Sequence, residues 1–190
     1  MDKLPNLIHR LSQDPFNYLL NFDVAQKYLE LNQTASAVSF YLRCAEYGEN
    51  VVGAKRYVYS SLLAIAKCFD TQKGRELSVS NTLLQAIAYD DSRPEAYFML
   101  SNYYERASQW QECYTFAVLG LGWSYEQEEQ LVDIGYDGEY CLRFEKAVSA
   151  YWIGRKDESL ELFKQLSTES ILPHYANAVK YNLEKLNAGI

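Results

Sequence analysis

Glu95-Ala-Tyr-Phe-Met-Leu-Ser-Asn-Tyr-Tyr-Glu-Arg-Ala-Ser-Gln-Trp-Gln-Glu-Cys113 is the stretch on which the fold turns. Tyr97, Leu100, Ser101 and Tyr104 fall at helical spacing, so they share one face, and Ser101 leaves a notch in it. Ser108 breaks the run, and Trp110, Cys113 and Ala117 resume it on a second segment. A small residue lets two helices approach closely, and an aromatic ring three or four positions away fills the seam beside it. The stretch therefore predicts a helix, a tight turn and an antiparallel partner helix.

The same grammar recurs on both sides. An earlier hairpin has Ala25, Tyr28, Asn32, Ala37, Tyr41 and Ala45, and a later one has Ala147, Tyr151, Gly154, Ser159, Phe163 and Leu166. Between them, residues 57–89 align less well: Gly74, Leu83 and Ala86 fall into line, but the turn at Asp70–Lys73 is longer. Helix-start signals stand at Asp14-Pro15, Ser92-Arg-Pro-Glu95, Ser108-Gln-Trp-Gln111, Ser124-Tyr-Glu-Gln127 and Leu172-Pro173. No stretch shows sustained period-two alternation. The expectation is one all-α domain over residues 1–190, with hairpins at roughly 15–48, 52–90, 93–122 and 138–168 and a capping helix at 172–187. The stripe Ala176, Val179, Leu183 and Leu186 would cover one open end of such an array, and Leu4, Leu7, Ile8 and Leu11 the other. An end left uncapped would favour homo-oligomers.

Composition narrows the function. The 190 residues are 48% apolar and 15% aromatic, with 17 tyrosines against 9 glycines and 4 prolines. Most of the rings, among them Tyr28, Tyr41, Tyr97, Tyr104, Trp110 and Phe163, read as seams between paired helices. A net charge of −7 and a pI near 4.9 argue against nucleic acid as a partner. No secretory signal opens the chain, and the apolar stretches Tyr57–Phe69 and Cys113–Trp123 are too short to span a bilayer, so a cytoplasmic location is expected. Cys44, Cys68, Cys113 and Cys141 form no CxxC pair, and only His9 and His174 could join them, so neither a metal site nor a cofactor is expected. They read instead as buried free thiols. Phosphate loops, nucleophile elbows and zinc-protease motifs are absent. The adjacent carboxylates Asp90/Asp91 and Glu128/Glu129 read as solvated faces. Nothing in the sequence reads as an enzyme.

The pattern Tyr97, Leu100, Ser101, Tyr104, Trp110 and Cys113 resembles the tetratricopeptide repeat, and the similarity extends over most of residues 15–168. Ala25, Ser101 and Ala147 lie 76 and 46 positions apart, a mean period nearer 41 than the family's ~34. The family's repeat-end proline is replaced by Glu49, Asp91 and Tyr125. A weaker similarity, carried by Arg93-Pro-Glu-Ala-Tyr97, Ser149-Ala-Tyr-Trp-Ile-Gly-Arg-Lys-Asp-Glu-Ser159 and Leu172-Pro-His174 with Asn177, is to the helical repeat region attached to some family 2 glycosyltransferases.

The first resemblance implies an α-solenoid, a right-handed superhelix of about four hairpins, in which the first helix of each hairpin lines a concave groove. The family's groove-facing offsets fall on Leu19, Phe22, Gln26 and Leu29; on Ser61, Ile65 and Cys68; on Phe98, Asn102, Glu105 and Arg106; and on Phe144, Val148, Tyr151 and Trp152. Of these, Phe22, Gln26, Phe98, Asn102, Glu105, Phe144, Tyr151 and Trp152 are the expected partner-binding set. Phe144 and Trp152 would instead be core if the final segment folds back over them. Only Asn102 matches the lysine and asparagine clamp of chaperone-binding members, so the implied ligand is an amphipathic helix or an extended peptide with bulky anchors. The implied function is a non-enzymatic scaffold that binds another protein or a peptide segment. Two alternatives follow: a substrate-positioning domain of a sugar-transfer system, or a structural component of a larger assembly such as a viral particle. Glu126–Glu139, rich in acid and without Lys or Arg, reads as a solvated connector or a lure for a basic segment. His174 and Tyr175 read as polar contacts of a partner site, with a plain surface histidine as the alternative for His174.

Overall fold

The structure, a computed structural model, describes residues 3–123 and 130–188. The described residues form α-helices and no strands: α1 (Leu4–Gln13), α2 (Tyr18–Glu30), α3 (Thr34–Gly48), α4 (Lys55–Asp70), α5 (Glu76–Tyr89), α6 (Glu95–Arg106), α7 (Trp110–Leu121), α8 (Glu139–Trp152), α9 (Lys156–Leu166) and α10 (Pro173–Asn187). They gather into two compact units. The first holds α1–α5 with residues 130–134, and the second holds α6–α10 with residues 135–138.

Three hairpins repeat the same physics. The small residues twelve positions apart, Ala25/Ala37, Ser101/Cys113 and Ala147/Ser159, are all fully buried. Where a hydroxyl stands in place of a methyl it is satisfied across the hairpin: Ser101 Oγ donates to the Cys113 carbonyl at 2.9 Å, and Ser159 Oγ to the Ala147 carbonyl at 2.7 Å. Tyr28 stacks on Phe40 at 5.4 Å and 11°, and Tyr104 stacks on Phe116 at 5.6 Å and 13°. Such rings close the seam that the small residues open.

The turns repeat too. Asn32, Ser108 and Gly154 have φ of +57°, +55° and +86°. In each, the next amide reaches back five residues: Gln33 to the Tyr28 carbonyl, Gln109 to Tyr104 and Arg155 to Ala150, at 2.8–2.9 Å. This left-handed helix end suits glycine, tolerates asparagine and disfavours serine. Ser108→Gly should therefore raise the stability of the chain by about 0.5–1 kcal/mol, read as a higher urea midpoint. The same change at Asn32 should gain less.

Several sequence expectations are corrected in detail. The cap of α2 is Asn17, whose Oδ1 accepts the Leu20 amide at 3.0 Å, rather than Asp14; Asp14 instead closes α1 and accepts from Asn17 Nδ2. At the start of α6 the cap position falls on Pro94, which has no side-chain bond to give, and Glu95 is buried and pairs with Arg93 through Nε at 3.2 Å and through a guanidinium Nη. At α7 the cap position is Gln109, without a side-chain bond. The signal at 124–127 lies outside the described residues. Asp90 is not a solvated charge but a buried one, paired with Lys55 Nζ at 3.1 Å.

Both ends are covered by a helix. Leu7 and Leu11 of α1 bury against Leu20 and Val24. At the other end α10 inserts Val179 into a cluster with Ala147, Phe163 and Leu166, flanked by Leu183 and Leu186. Ala176 is exposed, and it is Tyr175 that turns inward, edge-on to Tyr140 at 5.3 Å and Phe144 at 5.1 Å. Tyr175, expected as a polar contact of a partner site, is a buried ring, while His174 stays exposed beside it. Within α7, Gly120 carries the closest approach: a Cβ there would stand 2.8 Å from Tyr97 Cβ and 2.9 Å from Leu142.

Candidate functional site

In the first unit the face shared by α2 and α4 is already occupied. Phe22, expected as an open anchor, is only 2% exposed, wedged edge-on against Tyr41 (5.6 Å) and Tyr57 (5.3 Å). Ser61, Ile65 and Cys68 are buried as well. Leu131 and Val132, from the acidic connector, pack against the cluster that contains Phe22, Ile65 and Cys68. Gln26 Nε2 donates to the Leu131 carbonyl at 3.2 Å, and Lys67 Nζ to the Asp133 carbonyl at 2.5 Å. Gln26 therefore faces a peptide backbone, but one from its own chain. Expected as a solvated stretch, this connector instead packs Leu131 and Val132 against the core. Its acids Glu126, Glu128 and Glu129 lie outside the described residues. Asp137 accepts from the Tyr140 hydroxyl at 2.6 Å and Glu139 pairs with Arg143 at 3.3 Å.

In the second unit the expected residues separate into three groups. Phe98 is 6% exposed and faces the Tyr136 ring at 5.4 Å, so it too is covered by its own chain. Phe144 is half-buried between Phe163 (5.9 Å) and Tyr175 (5.1 Å), because the final helix does fold back over it. Trp152 differs. It is 58% exposed, stacked on Trp110 at 5.1 Å and 15°, with Tyr151 edge-on at 5.3 Å and Lys156 over the Tyr151 ring. Trp110, which the sequence suggests is a seam residue, is half-buried and supplies the other half of this stack. The pairing was visible in principle: each tryptophan sits beside a hairpin turn, one opening α7 and one closing α8.

The third group centres on a residue the sequence reading passed over. Glu145 on α8 is 2% exposed. Its Oε1 accepts from Asn102 Nδ2 at 3.1 Å, and the Cys113 thiol lies 3.8 Å from Oε2. Burial, with the Glu105 charge nearby, pushes the Glu145 carboxyl up to about 7, against the opposing pull of Asn102, Cys113 and Arg106. Burial also raises the half-buried Glu105, which Arg106 partly offsets. Asn102 and Glu105 thus belong to a polar knot between α6, α7 and α8. The Cys113 thiol is pushed up to about 12 and the Cys44 thiol to about 11 by burial, so both stay protonated and are poor metal ligands or nucleophiles. Among the described residues no three His, Cys, Asp or Glu side chains gather as a metal would need. No helix among them is long and apolar enough to cross a membrane.

No family model matches the chain, and no curated protein matches its sequence. Solved structures do match the fold. YrrB, described as a TPR protein with an unusual peptide-binding site, aligns over 98% of this chain and 84% of its own at 12% identity, with a TM-score of 0.71. The chain has the tetratricopeptide-repeat fold. MamA aligns over 96% and 89% at 14% identity and a TM-score of 0.59. A putative kinesin light chain of Podosopora anserina with nearly identical TPR-like repeats aligns over 99% and 88% at 15% identity and 0.58. At such identities a tetratricopeptide architecture is shared while side chains are not, so the residues above must carry any functional reading on their own chemistry.

Proposed function

We propose that this tetratricopeptide-repeat chain is a non-catalytic scaffold that binds a segment of another protein, with the Trp110–Trp152–Tyr151 platform as its anchor. The observation that carries the reading is the exposure of Trp152 beside two further rings, an apolar surface that the chain itself leaves open. Stacked tryptophans are rigid, large in area and costly to leave in water, which is the character of interface hot spots. The peptide-binding site attributed to YrrB is in keeping with this use of the fold. A reducing cytoplasm suits four buried free thiols.

Affinity capture on the immobilised chain tests it. Proteins retained by the wild type should be lost from Trp152→Ala, with helicity unchanged, and the measured affinity of a purified partner should fall by tenfold or more. Partners retained equally by the variant would remove the platform from the reading. The sugar-transfer alternative rests on the similarity at Arg93–Tyr97 and Ser149–Ser159; calorimetric binding of a nucleotide sugar would favour it. A large homo-oligomer in solution would favour the structural-component alternative.

A further inference from the structure

We infer that the face shared by α2 and α4 is a peptide site whose resident ligand is the chain's own Leu131-Val-Asp133, and that the partner it fits is a non-helical segment carrying two adjacent aliphatic residues followed by an acid. The inference rests on the scaffold reading and adds the partner's chemistry and the competitor it must displace.

The contacts are those of a bound peptide rather than of a repeat core. Most of the described apolar surface is closed by helix against helix, as where α1 covers Leu20 and Val24 and α10 covers Phe163. Here it is closed by residues that belong to no helix or strand. Two long side chains from two different helices, Gln26 and Lys67, hold the segment by its main-chain carbonyls. Main-chain bonds of that kind fix a peptide's position without reading its sequence, while the apolar cluster beneath reads Leu131 and Val132. Both aliphatic residues remain half-exposed, so their loss uncovers the site without removing a buried core side chain. Lys67 is an exposed cation at the rim of a strongly acidic chain, which favours an acidic residue on the incoming segment. Because the resident segment is tethered, its effective concentration is of the order of millimolar, and it screens the site from all but matching sequences.

The test uses the full chain and a labelled peptide of residues 130–136, Gln-Leu-Val-Asp-Ile-Gly-Tyr, followed by fluorescence anisotropy. If the resident segment fills the site about nine-tenths of the time, Leu131→Ser with Val132→Ser should bind the peptide about tenfold tighter than the wild type. Adding Lys67→Met to that variant should weaken binding at least threefold, and a peptide with Ser-Ser in place of Leu-Val should not bind. Should the double variant lose helicity, Val132→Ala alone should still show a gain of about threefold. Equal affinity for wild type and strap variants, binding of the Ser-Ser peptide, or no binding at all would overturn the inference. So would a wild-type dimer in sedimentation whose 130–134 segments are exchanged, since a second copy would then be the occupant. Partner loss on Trp152→Ala together with no peptide binding would leave the scaffold reading intact and sink this one alone.

Discussion

Glu145→Gln should make the protein more stable at pH 8 and remove most of the fall in stability expected of the wild type between about pH 4.5 and 7. The wild-type carboxyl is fully buried, held by a neutral amide and a thiol rather than by a cation, and its pKa stands near 7 in the fold against an ordinary 4.5. The folded state therefore keeps a proton that the unfolded chain gives up. Stability from that group is complete below about pH 4.5, drains away as pH rises through the window, and is gone above about 7. At 1.36 kcal/mol per pH unit the total is roughly 3 kcal/mol. Glutamine keeps the acceptor for Asn102 and carries no charge at any pH, although its extra N–H needs a partner and trims the gain. Urea midpoints at pH 5 and pH 8 decide the matter, with the difference between the two proteins cancelling titrating groups remote from Glu145, while Glu105 and Arg106, which its charge reaches, respond with it. Parallel pH profiles for wild type and variant would show that Glu145 is ionised in the fold.

The contrast between Glu145 and the rest of the chain shows what a sequence can reveal. The hairpins were legible because their signal is redundant. Ala25, Ser101 and Ala147 each start a pattern in which a small residue, a ring, a turn and a second small residue must all be right, and the structure seats the small residues together. The ends were legible for the same reason, as amphipathic stripes with one apolar side. The groove was not. Offsets along a helix tell which way Phe22, Phe98 and Phe144 point, but not whether something else in the chain arrives to cover them. What covers Phe22 and Phe98 includes Leu131, Val132 and Tyr136, from a non-helical segment between hairpins where periodicity carries no information, whereas Phe144 is covered by Tyr175 of the capping helix, an outcome the sequence left open. Trp152 escapes: it stays 58% exposed, stacked on Trp110 beside a turn. Glu145 was hidden by its type: a lone acid on a helix reads as solvent-facing unless its neighbours on three helices are known.

Phe163→Ala should cost about 3–5 kcal/mol, the largest loss expected from any single truncation in the second unit. The ring is fully buried in the cluster with Ala147, Leu166 and Val179, and sits edge-on to Phe144 at 5.9 Å. It thus ties α8, α9 and α10 at once. Repeat arrays are held by neighbour-on-neighbour burial, so a cavity at this junction weakens the hairpin and the capping helix together. Leu166, Val179, Phe144 and Leu162 are already packed against one another around the ring, so they refill the void only in part without moving a helix. Hydrogen exchange separates the local consequence from the global one. Amides of α9 and α10 should lose protection by two orders of magnitude or more, while α2 and α3 in the first unit, which share no cluster with Phe163, should change far less. Uniform loss across both units would mean that the chain unfolds as a single cooperative body. That outcome would also change how Trp152→Ala must be read, because its platform closes α8, the helix that Phe163 supports.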